Sequence, residues 1–159
     1  MPAPAVFQAP FDGYDRRVRD SFARQGAMHH IGAALTAVEP GYCAIALPVR
    51  PQVAQQHGFV HAGMVSAIVD SAGGYAGYTL FPEDSSVLTV EFKLNLLAPA
   101  RGDRLLAEGF VVKPGRTLCI TRGEVHAEAD GARTLVAIMQ QTLMVMHGKT
   151  DAAGARPVP

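Results

Sequence analysis

The sequence predicts an α+β fold in which one long apolar helix is wrapped by a curled antiparallel sheet of five or six strands. Three observations predict it. In residues 62–80 apolar side chains lie nearly all around the helical axis, which indicates a buried helix. Two strand-like segments precede this helix, and four segments of β character separated by turns follow it. The 159 residues suit a single domain, 1–159.

The elements before the long helix follow from local patterns. Residues 12–28 place Val18 and Phe22 four apart among charged residues, as in a short amphipathic surface helix. Residues 35–49 form two strand segments around the turn "EPGY", and residues 51–61 form a loop. The long helix ends at Phe81-Pro82, because a proline disfavours helical backbone in the residue before it.

Four strands are predicted after the long helix. In "VLTVEFKLNLLAP" the apolar residues alternate with polar ones and share one face: Leu88, Val90, Phe92, Leu94 and Leu96. The next strands are "DRLLAEGFVVK", "RTLCITRGEVHAEA" and "ARTLVAIMQQTLMVM", joined by turns at "PG" 114–115 and "DG" 130–131. One sheet around one helix leaves an open edge and an open face, so we expect an oligomer.

Composition excludes several classes of partner. Hydrophobic residues make up 48% and charged residues 18%, and Lys+Arg balances Asp+Glu at 14 each. The chain should therefore fold, with no reason to expect binding to nucleic acid or to a membrane. Cys43 and Cys119 lie in apolar runs and are predicted to be small core residues. No secretory signal is visible at the N-terminus, so we expect a cytoplasmic protein.

The start of the long helix offers unpaired donors. The first N–H groups of a helix have no acceptor within it, and the helix dipole adds partial positive charge there. Because the helix begins near Ala62, the N–H groups of Ala62 and Gly63 are predicted to be free, as an oxyanion hole requires.

Asp70 lies within the apolar helix, nine residues after His61 and thus ~13 Å along one axis. A nucleophile or base must come within ~3 Å of the reacting group, so one helix cannot supply both the donors and the carboxylate. Two copies can, which predicts two equivalent sites at a two-fold dimer interface. The alternative is a structural carboxylate capped by backbone or by Thr/Ser neighbours such as Ser66 or Ser71; the apolar surroundings favour function.

These residues carry a family resemblance. Gln55, His61, Ala62, Gly63 and Asp70 form Q-x5-H-A-G-x6-D, which resembles the signature of hotdog-fold acyl-CoA thioesterases of the phenylacetic-acid-degradation and 4-hydroxybenzoyl-CoA types. The similarity covers a core of about 12–146, including "QGAMHHIGA", "LTVEFKLNLLAPA", "KPGRT" and "GARTLVAIMQQTLMV". It implies a dimer with one continuous sheet, often a homotetramer, and an acyl-CoA substrate whose CoA is not a separate cofactor.

The resemblance also implies roles for individual residues. The Ala62 N–H would bind the thioester oxygen; many members have glycine there, and alanine keeps the N–H. Asp70 would attack the carbonyl or activate water, and Gln55 would orient the carbonyl or the water. Thr89 would support the carboxylate, and His61 would shape the loop and the helix start rather than act as a base.

Other residues leave alternatives open. His57 and His61 have a metal-binding spacing, but no third ligand is evident, so no metal is expected. Lys113 and Arg116 flank the "KPGRT" turn, either as an ordinary solvated hairpin or as contacts to CoA phosphates.

Three aromatic residues, Phe59, Tyr75 and Tyr78, are either core residues or the walls of an acyl pocket, which would favour an aromatic or medium-chain acyl group. The competing functions are a hotdog hydratase or dehydratase and a non-catalytic acyl-CoA-binding dimer.

Overall fold

Three α-helices and six strands form the ordered elements of residues 6–151, the part of the chain that the computed structural model describes. The helices are α1 (Tyr14–Ala23), α2 (Gly26–Ile31) and α3 (Ala62–Tyr78). The strands are β1 (Ala34–Glu39), β2 (Tyr42–Pro48), β3 (Ser85–Leu96), β4 (Arg104–Lys113), β5 (Leu118–Ala129) and β6 (Ala132–His147). A 3-10 turn, Pro51–Val53, lies in the loop before α3.

The six strands form one antiparallel sheet in the order β1-β2-β4-β5-β6-β3. Helix α3 packs against β2, β4, β5, β6 and β3, so the sheet curls around it and the predicted α+β architecture is confirmed. The contact is close: a Cβ at Gly109 of β4 would lie 2.3 Å from the backbone of Ala72. Only a glycine lets the strand approach the helix to this distance.

A side chain from α1 holds the C-terminal end of α3. The Arg17 guanidinium donates hydrogen bonds to the carbonyl oxygens of Tyr78 at 2.6 Å and Phe81 at 3.0 Å, and it stacks 3.9 Å from the centre of the Tyr78 ring. A cation here complements the negative end of the helix dipole. Val18 and Phe22 on the same short helix are buried, as its amphipathic pattern predicts.

Strand β3 forms one edge of the sheet and contains a β-bulge. Thr89 pairs with Leu143 of β6 and Glu91 with Thr142, so Val90 is an extra residue in the ladder. The bulge places Thr89 and Phe92 on the same face. The prediction that Leu88 and Phe92 share one face was therefore wrong, because simple alternation takes no account of an inserted residue.

The apolar side chains of β3 are unusually accessible. Four apolar side chains of this one strand are 44–55% exposed: Leu88, Val90, Phe92 and Leu96. An edge strand with this much exposed apolar surface is typical of an interface between subunits.

Both cysteines are core residues, as predicted. Cys43 and Cys119 are free thiols with no exposed surface, and burial raises their pKa to about 12 and about 11. Neither is a thiolate at neutral pH. No helix among the described residues has the length and apolarity needed to cross a membrane. Residues 6–11 are irregular, as predicted for 1–11, whereas most of the tail predicted to be mobile lies outside the described residues.

Candidate active site

Helix α3 begins with a histidine cap. His61 is the N-cap residue, and its Nδ1 accepts a hydrogen bond from the Gly63 N–H at 2.8 Å, so the imidazole carries its proton on Nε2 when neutral. The prediction that the Gly63 N–H is free was wrong, because this side chain already occupies it. His61 thus lies at the helix start, where it was predicted to shape the loop and the first turn. The exposed Ala62 donates its N–H to no residue within 6–151.

Gln55 and the helix start share a cavity of about 570 Å3. The Gln55 backbone N–H donates to the Phe59 carbonyl at 2.8 Å, and its side-chain Oε1 accepts from the His57 N–H, which fixes the loop before the helix. Gln55, Gln56, His61 and the backbone of Ala62 supply the polar wall. The remaining wall is mostly apolar: Phe59, Val60, Val65, Leu96, Leu97, Ala98, Pro99, Ala100 and Val136.

Asp70 lines a second, smaller cavity of about 200 Å3. The Thr89 hydroxyl donates to Asp70 Oδ1 at 2.8 Å, and the Gln141 side-chain amide donates to the same oxygen. The predicted contact between Thr89 and the carboxylate is confirmed. Neither Ser66 nor Ser71 supplies a donor to it; the donors come from β3 and β6.

Gln141 is the residue of this site that sequence reasoning missed. It is 1% exposed, and its Oε1 accepts a hydrogen bond from the Thr121 hydroxyl at 2.9 Å. Its Nε2 also donates to the Asp70 backbone carbonyl at 3.2 Å. A signal existed: Met139, Gln141, Leu143 and Val145 all point inward, so one polar residue interrupts a buried apolar row.

The carboxylate has one bonded and one open oxygen. Both donors contact Oδ1, whereas Oδ2 accepts from no residue within the described part of the chain and is not sealed in the interior. Burial raises the pKa of the Asp70 carboxyl above its ordinary value, and the hydrogen bonds from Thr89 and Gln141 partly oppose this. An oxygen in this state can act as a nucleophile or accept a proton.

The far wall of the Asp70 cavity is polar. The Tyr75 hydroxyl accepts from Gln25 Nε2 at 2.9 Å and lies 3.2 Å from the Ser21 hydroxyl. Asp151 accepts hydrogen bonds from the hydroxyls of Ser21 and Ser86 and lines the same cavity. Gly74 is buried, yet a Cβ there would meet no atom within 4 Å, so it borders open space.

The predicted site residues therefore form two groups within one chain. Ala62 and Asp70 are eight residues apart on one helix, ~12 Å along its axis, and they line different cavities. Lys113 and Arg116 are exposed at the β4–β5 hairpin and line neither cavity. Among residues 6–151, no three His, Cys, Asp or Glu side chains converge in the manner of a metal site.

Comparison with known proteins decides the family. Residues 57–133 match the Thioesterase superfamily. The crystal structure of a thioesterase family protein from Silicibacter pomeroyi is 47% identical, covers 86% of this chain and 100% of its own, and superposes with a TM-score of 0.84. The chain belongs to the thioesterase superfamily. Its curled sheet and central helix are the hotdog fold of these proteins.

Solved structures of lower sequence identity share the fold. A thioesterase from Haemophilus influenzae is 20% identical over 96% of this chain and 99% of its own, with a TM-score of 0.75. The E. coli PaaI protein from the phenylacetic acid degradation operon is 17% identical over 86% and 95%, with a TM-score of 0.73. At these identities the similarity concerns the fold alone.

Proposed function

We propose that this thioesterase-superfamily protein is an acyl-CoA thioesterase of the phenylacetic-acid-degradation type. It would hydrolyse an aryl- or medium-chain acyl-CoA to the free acid and CoA. The observation that carries the proposal is the Asp70 carboxylate: one oxygen is held by Thr89 and Gln141, and the other is open to a cavity. An unbonded oxygen on a half-buried carboxylate is free to react, which favours a functional role over a structural one.

The proposed site is completed by a second copy of the chain. The helix N-terminus and Asp70 cannot reach one carbonyl within a single protomer, since ~12 Å of helix separates them. Two β3 strands meeting antiparallel at the sheet edge would form one continuous sheet and cover the exposed side chains of Leu88, Val90, Phe92 and Leu96. The Ala62 N–H of one protomer would then face Asp70 of its partner.

Each group has a definite task in the proposed reaction. The Ala62 N–H, at the positive end of α3, stabilises the negative oxygen of the tetrahedral intermediate. Gln55 orients the carbonyl or the attacking water from the same cavity wall. His61 holds the first turn of the helix through its bond to the Gly63 N–H.

Two routes use Asp70. As nucleophile, Oδ2 attacks the thioester carbon, the C–S bond breaks with CoA leaving as thiolate, and water hydrolyses the resulting anhydride. As general base, Oδ2 takes a proton from water while the water oxygen attacks the carbon, and the proton then passes to the departing sulfur. Both require the ionised carboxylate and the same Ala62 donor.

The size of the Asp70 cavity bears on the acyl group. At about 200 Å3 it is smaller than the ~300–1,000 Å3 of pockets for drug-sized ligands. This favours an aromatic or medium-length acyl group over a long chain. Tyr75 lines this cavity, as one prediction allowed, whereas Tyr78 is a core residue against Arg17.

The first experiment is a panel of phenylacetyl-, benzoyl-, hexanoyl- and palmitoyl-CoA assayed for release of free thiol. We expect turnover with the aryl and medium-chain substrates and little with palmitoyl-CoA. Binding without thiol release would favour a non-catalytic acyl-CoA-binding dimer. Water addition to an enoyl-CoA without thiol release would favour a hydratase.

A site shared between two protomers can be tested with a substitution that removes only the Ala62 N–H. Ala62 is the first residue of α3, where proline is well tolerated, and His61 has the extended backbone that precedes a proline (φ −60°, ψ 137°). Ala62→Pro therefore deletes the N–H while keeping the helix. We expect the rate to fall by ~10²–10³.

Co-expression of Ala62→Pro chains with Asp70→Asn chains would restore activity in mixed dimers. Half of the dimers are mixed under random pairing, and each has one intact site, so about a quarter of wild-type activity should return. No recovery in purified mixed dimers would show that each site is built from one chain.

A further inference from the structure

The buried amide of Gln141 needs an explanation, because it interrupts an apolar row. Its inward neighbours on β6, Met139 and Leu143, are buried hydrophobic residues. Burying an amide costs free energy unless its polar atoms find partners. Here both polar atoms are bonded, and the partners on the Nε2 side are Asp70 and Thr89.

A neighbouring threonine hydroxyl holds the oxygen end of the Gln141 amide. Thr121 stands directly opposite Gln141 in the β5–β6 ladder, and its hydroxyl donates to Gln141 Oε1 at 2.9 Å. Because the ionised Oδ1 and the backbone carbonyl of Asp70 can only accept, Nε2 faces Asp70 and Oε1 faces the Thr121 hydroxyl. Nε2 then reaches both Oδ1 and the backbone carbonyl of Asp70, so it holds the side chain and the helix turn together.

Helix α3 is shaped to admit the amide. A Cβ at Gly73 would lie 2.2 Å from Gln141 Oε1 and 3.0 Å from the Thr121 hydroxyl oxygen. Any side chain at this position would displace the amide. Glycine inside a helix lowers the stability of the helix relative to alanine. Gly73 therefore destabilises α3 at the position where Gln141 and Thr121 pack against it.

We propose that Gln141 is a positioning residue for Asp70: with Thr121 behind it and Gly73 making room, it holds Oδ1 and leaves Oδ2 as the reacting oxygen. The inference rests on the proposed thioesterase function and deepens it. Thr89 alone would leave the carboxylate free to rotate about its hydrogen bond. Donors from two strands, β3 and β6, fix its plane.

Gln141 also acts on the charge of Asp70. The other titratable groups lining the cavity are Tyr75, from the same helix, and Asp151. Strand β3 contributes Val87 and Thr89, which do not titrate in the working range, and no cationic side chain lines the cavity within the described residues. Hydrogen bonds rather than a positive charge therefore oppose the effect of burial on the Asp70 pKa, and loss of one donor raises that pKa further.

The principal test is Gln141→Leu, assayed with phenylacetyl-CoA from pH 4 to 9. We expect kcat to fall by roughly 10- to 100-fold with KM nearly unchanged, since Gln141 does not line the cavity. The acid limb of the kcat profile should move to higher pH by roughly one pH unit. Gln140→Leu is the matched control, because Gln140 is the adjacent, exposed residue on the opposite face of β6.

The outcome that overturns the proposal is a folded Gln141→Leu protein with an unchanged acid limb. A merely structural role would lower the melting temperature and leave the pH profile in place. The pKa of Asp70 can also be measured directly by 13C NMR of its carboxyl group, without any substrate. If wild-type protein hydrolyses no acyl-CoA, the proposed function fails, yet an Asp70 pKa that rises in Gln141→Leu still supports the positioning role.

Gly73→Ala tests the same contact from the helix, in case Gln141→Leu does not fold. The new methyl group should push the amide away and reproduce the shifted acid limb, although Gly73 itself does not line the Asp70 cavity. In the double variant Gly73→Ala/Gln141→Ala the amide is already absent, and the closest remaining atom is the Thr121 hydroxyl oxygen, 3.0 Å from the new Cβ. We expect its kcat to match that of Gln141→Ala alone; multiplicative losses would overturn the proposal.

Discussion

Replacing Asp70 by asparagine should reduce kcat by orders of magnitude and stabilise the fold at the same time. Asparagine has nearly the same size and can still accept the hydrogen bond from Thr89 through its carbonyl oxygen. It cannot attack a thioester or accept a proton, so kcat should fall by ~10²–10⁴. The gain in stability follows from removing a charge that the fold disfavours.

The size of that gain can be worked from the site. Burial raises the pKa of Asp70 in spite of two donors to Oδ1, so ionisation is harder in the folded protein than in the unfolded chain. Each pH unit of such a difference corresponds to ~1.4 kcal/mol. For a half-buried group we expect a gain on the order of 1 kcal/mol, which raises Tm by ~2–4 °C in a domain of this size.

The direction of the Asp70 pKa shift determines the pH range over which Asp70→Asn stabilises the protein. A carboxyl whose folded pKa lies above the unfolded value stabilises the fold only at low pH, and that stability is lost as pH rises through the folded pKa. The advantage of Asp70→Asn should therefore be largest at neutral pH and disappear below the unfolded value of ~3.9.

The assay is thermal unfolding from pH 3.5 to 8, with thiol release measured on the same samples. Asp84→Asn, at an exposed carboxylate, is the control for the loss of one negative charge. A variant that is less stable than wild type at pH 7, or one that keeps near-normal turnover, would refute the reasoning about Asp70.

Three further predictions concern other parts of the molecule. Arg17→Ala should lower stability by about 2–3 kcal/mol and Tm by ~4–12 °C, because the carbonyls at the end of α3 lose a cation that donates to both. Arg17→Lys should recover only part of this stability in thermal melts. Gly74→Val should fill the open space beside Asp70, so kcat/KM for phenylacetyl-CoA should fall at least tenfold more than for acetyl-CoA; equal losses would mean that the acyl group lies elsewhere. Arg116→Ala should raise KM for acyl-CoA severalfold and spare kcat, and an unchanged KM would remove this exposed residue from CoA binding.

The elements of the fold could be predicted from sequence because their patterns are local. The buried helix, the "EPGY" turn and the "DG" hairpin all lie where composition and turn chemistry indicate. The contact between Asp70 and Thr89 was predicted only through the family resemblance, since the two residues lie on separate elements, and the structure confirms it.

The errors arose where one residue changes what its neighbours can do. Simple alternation in β3 failed because Val90 is inserted in the ladder. The Gly63 N–H is not free because an imidazole nitrogen, which helix propensity does not describe, accepts its hydrogen bond. Gln141 was missed because its partner is set by strand register, although a buried amide in an apolar row is a signal that can be read from sequence.

The inserted residue in β3 places two kinds of side chain, the Thr89 hydroxyl and a group of apolar residues, on one face of the strand. Before Val90 the inward positions are odd-numbered, and they bring Thr89 to the carboxylate; after it they are even-numbered, and they carry Phe92, Leu94 and Leu96. Without the insertion, an inward Thr89 would turn this second group outward. The inserted Val90 therefore lets the Thr89 hydroxyl and the apolar side chains of Phe92, Leu94 and Leu96 lie on the same face of β3. A relative without this inserted residue would keep only one of these two groups on that face.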